Sequence, residues 1–447
     1  MTLSRRYLAA YAAPSLVTSV AALPMALFVP AFYADDLGMP IAAVGMAIAI
    51  SRLLDVVTDP LIGALSDRLQ LPFGRRKPWM LLGVPLFLVS LWQVFVPDPG
   101  ASVTYLAIWS ALLYLGFTLI DLPHKAWGAE LSIDYDERSR VTSWREGVST
   151  TGQVLLLAML AWLAASDMDA AAEQLRAIAL WVAVALPVLV GLCWTVVAEQ
   201  GPERFAHRRH SMIEGWKIVV RNPAFLRMAG CVLFFVSGVA IQGTLHRLVL
   251  ADVMQDEASF PLMILLENVA TLAGVPVWLA ISIRIGKHRA LMFAALWLAL
   301  WSVPLIFLRE GDTTLMIVNI VIRGSSFASI LFLAHSIAAD VIDVDTLEYG
   351  EQRSGLFFAV WGMVIKLSLA VGVVLGTSLP AALGYDPSAP IVAPHVQGAV
   401  MVVYGAVPAV LMGAGALFLR RFPITRQRHA QVRAQLASVT REPGPPN

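Results

Sequence analysis

Long apolar runs separated by short polar connections follow one another along this chain to about residue 419. A helix needs roughly 20 apolar residues to cross a bilayer. Twelve runs meet that length, at about 7–33, 41–66, 78–96, 104–131, 143–165, 176–198, 223–250, 260–283, 289–308, 314–341, 354–382 and 396–419. In hydrocarbon the backbone must satisfy its own hydrogen bonds, so each run predicts a helix. The connections alternate in charge. One set carries Arg5 and Arg6; Arg68, Arg75, Arg76 and Lys77; Arg138 and Arg140; Arg204, Arg208, Arg209, Lys217 and Arg221. It continues with Arg284, Lys287 and Arg289, then Arg353, then the tail from Arg420. The other set is acidic or neutral, with Asp35, Asp36, Asp98, Asp167, Asp169, Asp252, Asp256, Glu257 and Asp386. Excess Lys and Arg marks cytoplasmic connections, which places both termini in the cytoplasm.

The longest interior basic connection divides the chain into 1–198, a loop at 199–222, 223–420 and a tail at 421–447. The expected fold is an all-α membrane protein, twelve transmembrane helices in two six-helix pseudo-symmetric bundles, a layout known from transporters. Gly63 to Lys77 after span two has an echo in Arg284 to Arg289 after span eight. The tail is basic, then Pro-rich, and is expected to lie partly disordered beside an anionic leaflet. Composition agrees: 58% of the 447 residues are hydrophobic and 14% charged, against about 25% charged in soluble domains. The net charge of +1 is spread over loops and gives no footprint for nucleic acid. Cys193 and Cys231 stand far apart in apolar runs and read as buried thiols. Met1 to Arg6 leads straight into the first span, so no cleaved signal peptide is expected. There is no Walker-type loop, zinc-spaced His/Cys set or nucleophile elbow in the sequence. ATP-driven or hydrolytic chemistry is therefore disfavoured, and neither an enzyme nor a cofactor is expected.

Span two is the unusual one. It carries Arg52, Asp55 and Asp59, which share one helical face because steps of three and four return to the same side. Intramembrane ionisable residues mark a partner, a cavity or a pathway. In span four Lys125 follows Asp121 by four residues around Pro123, a residue able to open the helix locally.

Several motifs resemble a known family. Gly63-Ala64-Leu65-Ser66-Asp67-Arg68 followed by Gly74-Arg75-Arg76-Lys77 is similar to the loop 2–3 signature of the major facilitator superfamily. Asp55-Val56-Val57-Thr58-Asp59-Pro60, Gly128-Ala129-Glu130-Leu131, Asp134 to Arg138, Ala339 to Asp343 and Gly350 to Arg353 resemble the glycoside–pentoside–hexuronide:cation symporter family. Gly355 to Trp361, with Lys366 beyond, fits as well. The resemblance implies cation-coupled symport, with Asp55, Asp59, Thr58 and Thr118 at the cation and Na+ or a proton as the coupling ion. It implies a solute site including Asp121, Arg145 and Lys366. The family's sugar-binding acid in span one has no counterpart between Pro14 and Leu23.

Alternatives stay open at each position. Asp55 and Asp59 either bind the coupling ion or neutralise Arg52 and Lys366. Lys125 either joins His124, Arg145, His335 and Lys366 in a basic cavity selecting an anionic solute, or only pairs with Asp121. Trp127, Trp144 and Trp361 offer indole faces for a sugar or pack the helices. Asp67, Arg68 and Arg75, with Asp136, Glu137, Arg138, Asp343, Asp345, Glu348, Glu351 and Arg353, are gating candidates whose patches either pair across the halves or stay solvated. Glu267, Asn268 and Arg323 are further intramembrane polar residues, lining a second-half cavity or joining helices. The partners expected are a small-molecule solute, a monovalent cation and the bilayer, with the chain a monomer in the bacterial inner membrane. An amphiphile carrier of the lysolipid kind, or a non-transporting sensor on the same fold, would use the same frame.

Overall fold

The computed structural model describes residues 2–69, 73–166, 170–199, 211–385 and 392–439. Asp167, Asp169, Arg204, Arg208, Arg209 and Asp386, assigned above to connections, lie outside the described residues. Every element among the described residues is helical. Twelve helices are long and apolar enough to cross a membrane. They are α1 (Arg5–Asp36), α2 (Ile41–Arg68), α3 (Lys77–Phe95), α4 (Val103–Glu130), α5 (Tyr135–Ala165) and α6 (Ala171–Val196). Then come α7 (Pro223–Val253), α8 (Glu257–Ile285), α9 (Lys287–Phe307), α10 (Thr313–Tyr349), α11 (Ser354–Ala382) and α12 (Pro394–Leu417). A short connecting helix, Met212–Arg221, precedes α7. Beyond α12 the tail forms a helix, Arg426–Val439, where disorder was expected in part.

The helix starts follow local chemistry. Ser4, Ser102, Asp134 and Asn222 accept backbone N–H groups of the first turn at α1, α4, α5 and α7. Pro78, Pro223, Pro261 and Pro394 occupy first-turn positions, where a missing N–H costs nothing. Two spans are interrupted. In α1 the helix breaks between Thr18 and Ala22; Pro24 has no N–H to return to the Val20 carbonyl. In α10 it breaks after Gly324, where Ser325 and Ser326 donate their hydroxyls to the Ile322 and Arg323 carbonyls at 2.6 and 3.0 Å.

The chain forms two compact units. One comprises Met1–Trp216, Asp345–Val360 and Gln435–Asn447; the other comprises Lys217–Val344 and Trp361–Ala434. The end of α10 and the first turns of α11 thus belong with the first unit. Its core contains Leu8, Tyr11, Val17, Phe87, Leu91 and Trp127. The core of the second contains Ile241, Leu245, Met263, Met316, Ile320 and Tyr404. In the first unit α1 and α5 approach closely: Ser19 donates its hydroxyl to the Ser149 carbonyl at 2.9 Å, and a Cβ on Gly152 would run into the Leu16 carbonyl oxygen. Small residues permit such backbone approach in membranes.

Gly152→Ala is expected to destabilise by about 1–3 kcal/mol through overpacking. Gly191→Ala, where nothing lies within 4 Å, should be neutral or stabilising by up to about 1 kcal/mol. Thermal unfolding in detergent compares the two; equal melting temperatures would contradict the close α1–α5 approach.

Candidate functional site

The two acids of α2 are buried: Asp55 is 5% and Asp59 4% exposed. Thr118 on α4 donates its hydroxyl to Asp59 Oδ1 at 2.9 Å. The Thr58 hydroxyl is buried with no hydrogen-bond partner among the described residues. Two carboxylates and two hydroxyls are a hard-oxygen donor set, the kind a small cation takes. Among the described residues there is no group of three or more His, Cys, Asp or Glu arranged to hold a metal ion. Arg52 does not share the acids' surroundings. It is exposed, donates from Nε to the Tyr114 hydroxyl at 3.2 Å and lies 5.1 Å from that ring's centroid. Spacing alone put Arg52 with Asp55, but its long stem carries the charge to an aromatic neighbour.

One turn along α4 from Thr118 stands Asp121, and Lys125 Nζ meets its Oδ2 at 2.5 Å. The helix runs unbroken through Pro123. On α5 Arg145 Nη2 lies 3.6 Å from Glu146 Oε2. His124 donates from Nε2 to the Tyr11 carbonyl at 2.7 Å, and the Tyr11 hydroxyl donates to the His124 carbonyl at 3.2 Å. Lys125 is therefore an ion-paired group, and His124 is a strut between α1 and α4. In the second unit His335 donates from Nδ1 to the Leu331 carbonyl at 2.6 Å, and its Nε2 accepts the Trp361 indole N–H at 3.2 Å. That pattern requires the neutral tautomer, so His335 adds no positive charge. Lys366 is half-buried on α11.

The tryptophans sit deeper than a sugar platform would. Trp127 and Trp361 are each 1% exposed. Trp127 packs edge-on against Tyr11, with Lys77 Nζ 5.4 Å from its ring centroid. Lys77 also donates to the Trp194 carbonyl at 2.7 Å. Trp144 is half-buried.

The gating candidates are the most densely bonded group. Asp67 accepts Arg76 Nη2 at 2.6 Å and the backbone N–H groups of Gly355 and Leu356 at 2.8 and 2.9 Å, so it caps α11 from the end of α2. The cap needs bare backbone: a Cβ on Gly63 would lie 2.6 Å from the Gly355 carbonyl oxygen. Arg76, wholly buried, also reaches Glu130 at 2.6 Å and Ser66 at 2.8 Å. Burial alone would disfavour its charge, and the Glu130 and Asp67 carboxylates more than offset that, holding the guanidinium pKa above its ordinary value. Arg75 bonds Glu130 at 2.7 Å and Gln352 at 3.3 Å. Glu199 accepts the backbone N–H groups of Arg75, Arg76 and Lys77 at 2.6, 2.7 and 3.3 Å.

The other charged patches find partners close by in sequence or in their own unit. Glu137 accepts the Leu3 N–H at 3.0 Å and Arg140 at 2.9 Å, Arg138 donates to the Ser132 carbonyl at 2.8 Å, and Arg353 holds Asp345 at 2.8 Å. In the second unit Asp343 is engaged by His429 and Arg433 of the tail helix at 2.9 and 3.4 Å. Arg323 meets Glu267 at 3.5 Å, joining α10 to α8, while Asn268 donates back to the Ile264 carbonyl of its own helix at 2.9 Å. Arg68, Asp136 and Glu351 are each engaged in interactions of their own. Glu130, Arg76, Glu146 and Glu199 were not singled out from the sequence. Glu130 and Arg76 lie inside the quoted motifs, whereas Glu199 at the end of a span carries no local signal.

Residues 10–426 match the family described as MFS/sugar transport protein. The Putative glycoside/cation symporter YagG of Escherichia coli is 24% identical over 91% of this chain and 89% of its own length. The Glucuronide carrier protein homolog of the same organism is 23% identical over 96% of this chain and 95% of its own. The solved proton:xylose symporter XylE superposes with a TM-score of 0.67 at 14% identity, covering 96% of this chain and 98% of that one. At that identity the likeness concerns the fold.

Asp67→Ala removes the α11 cap and leaves Arg76 with Glu130 as its remaining carboxylate partner. A loss of about 1–3 kcal/mol is expected, read as a lower melting temperature. Leu69→Ala, at an exposed neighbour, should change little, and equal effects of the two would remove Asp67 from the role of cap.

Proposed function

Because the chain belongs to the MFS/sugar transport protein family, we propose that it carries a glycoside-like solute in symport with Na+ or a proton by alternating access. The observation supporting this reading is the α4 face, where Thr118, Asp121 and Lys125 follow at i, i+3 and i+7. Thr118 touches Asp59 of the proposed cation subsite, and the Asp121–Lys125 pair, one turn further along, belongs to the solute subsite. One rigid helix thus serves both ligands. The coupling ion, Na+ or a proton, binds among the oxygens of Asp55, Asp59, Thr58 and Thr118.

The solute's hydroxyls suit Asp121 as acceptor and Lys125 and Arg145 as donors. Asp67, Arg75 and Arg76 act away from the solute, as a bonded latch whose release accompanies reorientation. The protein works as a monomer in the bacterial inner membrane; the Lys and Arg distribution supports both termini lying in the cytoplasm.

In proteoliposomes, an imposed Na+ or proton gradient should drive accumulation of a labelled glycoside. Asp59→Asn is expected to reduce gradient-driven accumulation at least about tenfold, while solute exchange without a gradient persists. Undiminished accumulation by both Asp55→Asn and Asp59→Asn would remove these acids from coupling. Uptake of a lysolipid in place of any glycoside would replace the sugar reading with an amphiphile carrier.

A further inference from the structure

Glu199 lies just beyond α6 and has no part in the reading above. Its Oε1 accepts the backbone N–H groups of Arg75 and Arg76 at 2.6 and 2.7 Å, and its Oε2 accepts that of Lys77 at 3.3 Å. These groups stand at the start of α3, where a helix leaves donors without partners and favours a negative charge. Arg76, the residue preceding α3, supplies no side-chain cap of its own. The segment carrying Glu199 is anchored on both sides. The Ala198 N–H donates to the Tyr7 hydroxyl at 3.2 Å, and Lys77 Nζ donates to the Trp194 carbonyl at 2.7 Å. All of these residues belong to the first unit.

The turn that Glu199 grips is strained. Phe73 and Gly74 have φ of 78° and 126°. For a side chain as bulky as phenylalanine the left-handed region is sterically costly, and such strain persists only where the surroundings over-determine it. The Phe73 ring does little of that, being 76% exposed with one edge-on contact to Trp194 at 6.1 Å between centroids. The Glu199 carboxylate lies directly against the turn: a Cβ on Gly74 would run into it. Beyond the turn two guanidinium groups converge on one carboxylate, Arg75 on Glu130 at 2.7 Å and Arg76 on Glu130 at 2.6 Å, with Arg76 also on Asp67 at 2.6 Å. Resting on the latch reading, we infer that Glu199 is the positioning residue of the latch: by holding the strained 73–77 turn at the exit of α6 it delivers Arg75 and Arg76 together to Glu130 and Asp67. Without that carboxylate three N–H groups lose their acceptor, and Phe73 relaxes to negative φ. The turn then draws the arginines off their partners.

Trypsin cuts after Arg75 and Arg76, which are 6% and 0% exposed, so its rate in full-length protein in detergent reads the opening of the turn. Glu199→Ala is expected to speed cleavage there at least about tenfold, with cleavage after the exposed Arg428 of the tail helix unchanged. Glu199→Gln, which keeps an acceptor, should raise it only about two- to threefold. Adding Phe73→Gly to the Glu199→Ala protein should slow cleavage again by about threefold, because glycine holds the left-handed turn without strain. A plain loss of helix capping gives no such recovery. In proteoliposomes Glu199→Ala should lower the maximal rate of gradient-driven glycoside uptake about fivefold, with the half-saturating concentration moving less than about twofold. Unchanged cleavage in Glu199→Ala overturns the inference, as does a failure of Phe73→Gly to slow it. Should Glu199→Ala not fold, unchanged cleavage in Glu199→Gln overturns it instead. Faster cleavage with undiminished uptake overturns the latch reading on which the inference rests, whereas unchanged cleavage overturns the inference alone.

Discussion

An ionised group taken out of water costs several kcal/mol even after its surroundings relax, and the polar architecture of this protein is a set of answers to that cost. Arg76 shows how far the answers interlock. Wholly buried, it depends on Asp67, Glu130 and Ser66. Asp67 in turn accepts two backbone N–H groups at the start of α11, and Glu130 is shared with Arg75. Removing one member leaves the others buried and under-bonded. The ends of α2 and α4, the starts of α3 and α11 and the exit of α6 therefore lie in one unit for an electrostatic reason.

The same rule operates inside the spans with fewer resources. There the answers are local or reach one helix away: Lys125 for Asp121 at four residues, Glu146 for Arg145 at one, Thr118 for Asp59 across to α4. Histidines bond nearby groups: His124 a backbone carbonyl of α1, and His335 a carbonyl and an indole. Lys125 and Arg145, which a count along the sequence would read as free positive charges, each stand beside a carboxylate.

What was legible in the sequence is what depends on short separation. Span lengths follow from apolar runs, helix starts from Ser, Asp, Asn and Pro at their ends, and the Asp121–Lys125 pair from a step of four. Family motifs located Asp67 and the Arg75–Arg76 turn. Illegible were contacts between residues far apart in sequence: Glu199 closing on the turn before α3, Trp127 enclosed by Tyr11 and Lys77, and Arg52 turned to Tyr114. Helical periodicity states which residues share a face. It does not state where a long flexible side chain on that face ends, nor which distant segment covers it.

The shared α4 face also bears on how much energy coupling demands. Moving a two-state carrier from 1:99 to 99:1 takes about 5.5 kcal/mol of differential affinity, whereas a single hydrogen bond nets about 0.5–1.5 kcal/mol. Neither ligand reaches that difference through one contact. In the proposed symport, the cation relieves the Asp55–Asp59 carboxylates and fixes Thr118, while the solute engages Asp121, Lys125 and Arg145 on and beside the same helix. Each ligand then adds to one set of bonds along the same α4 face. Coupling in this scheme is the buried-charge rule applied to the ligands themselves.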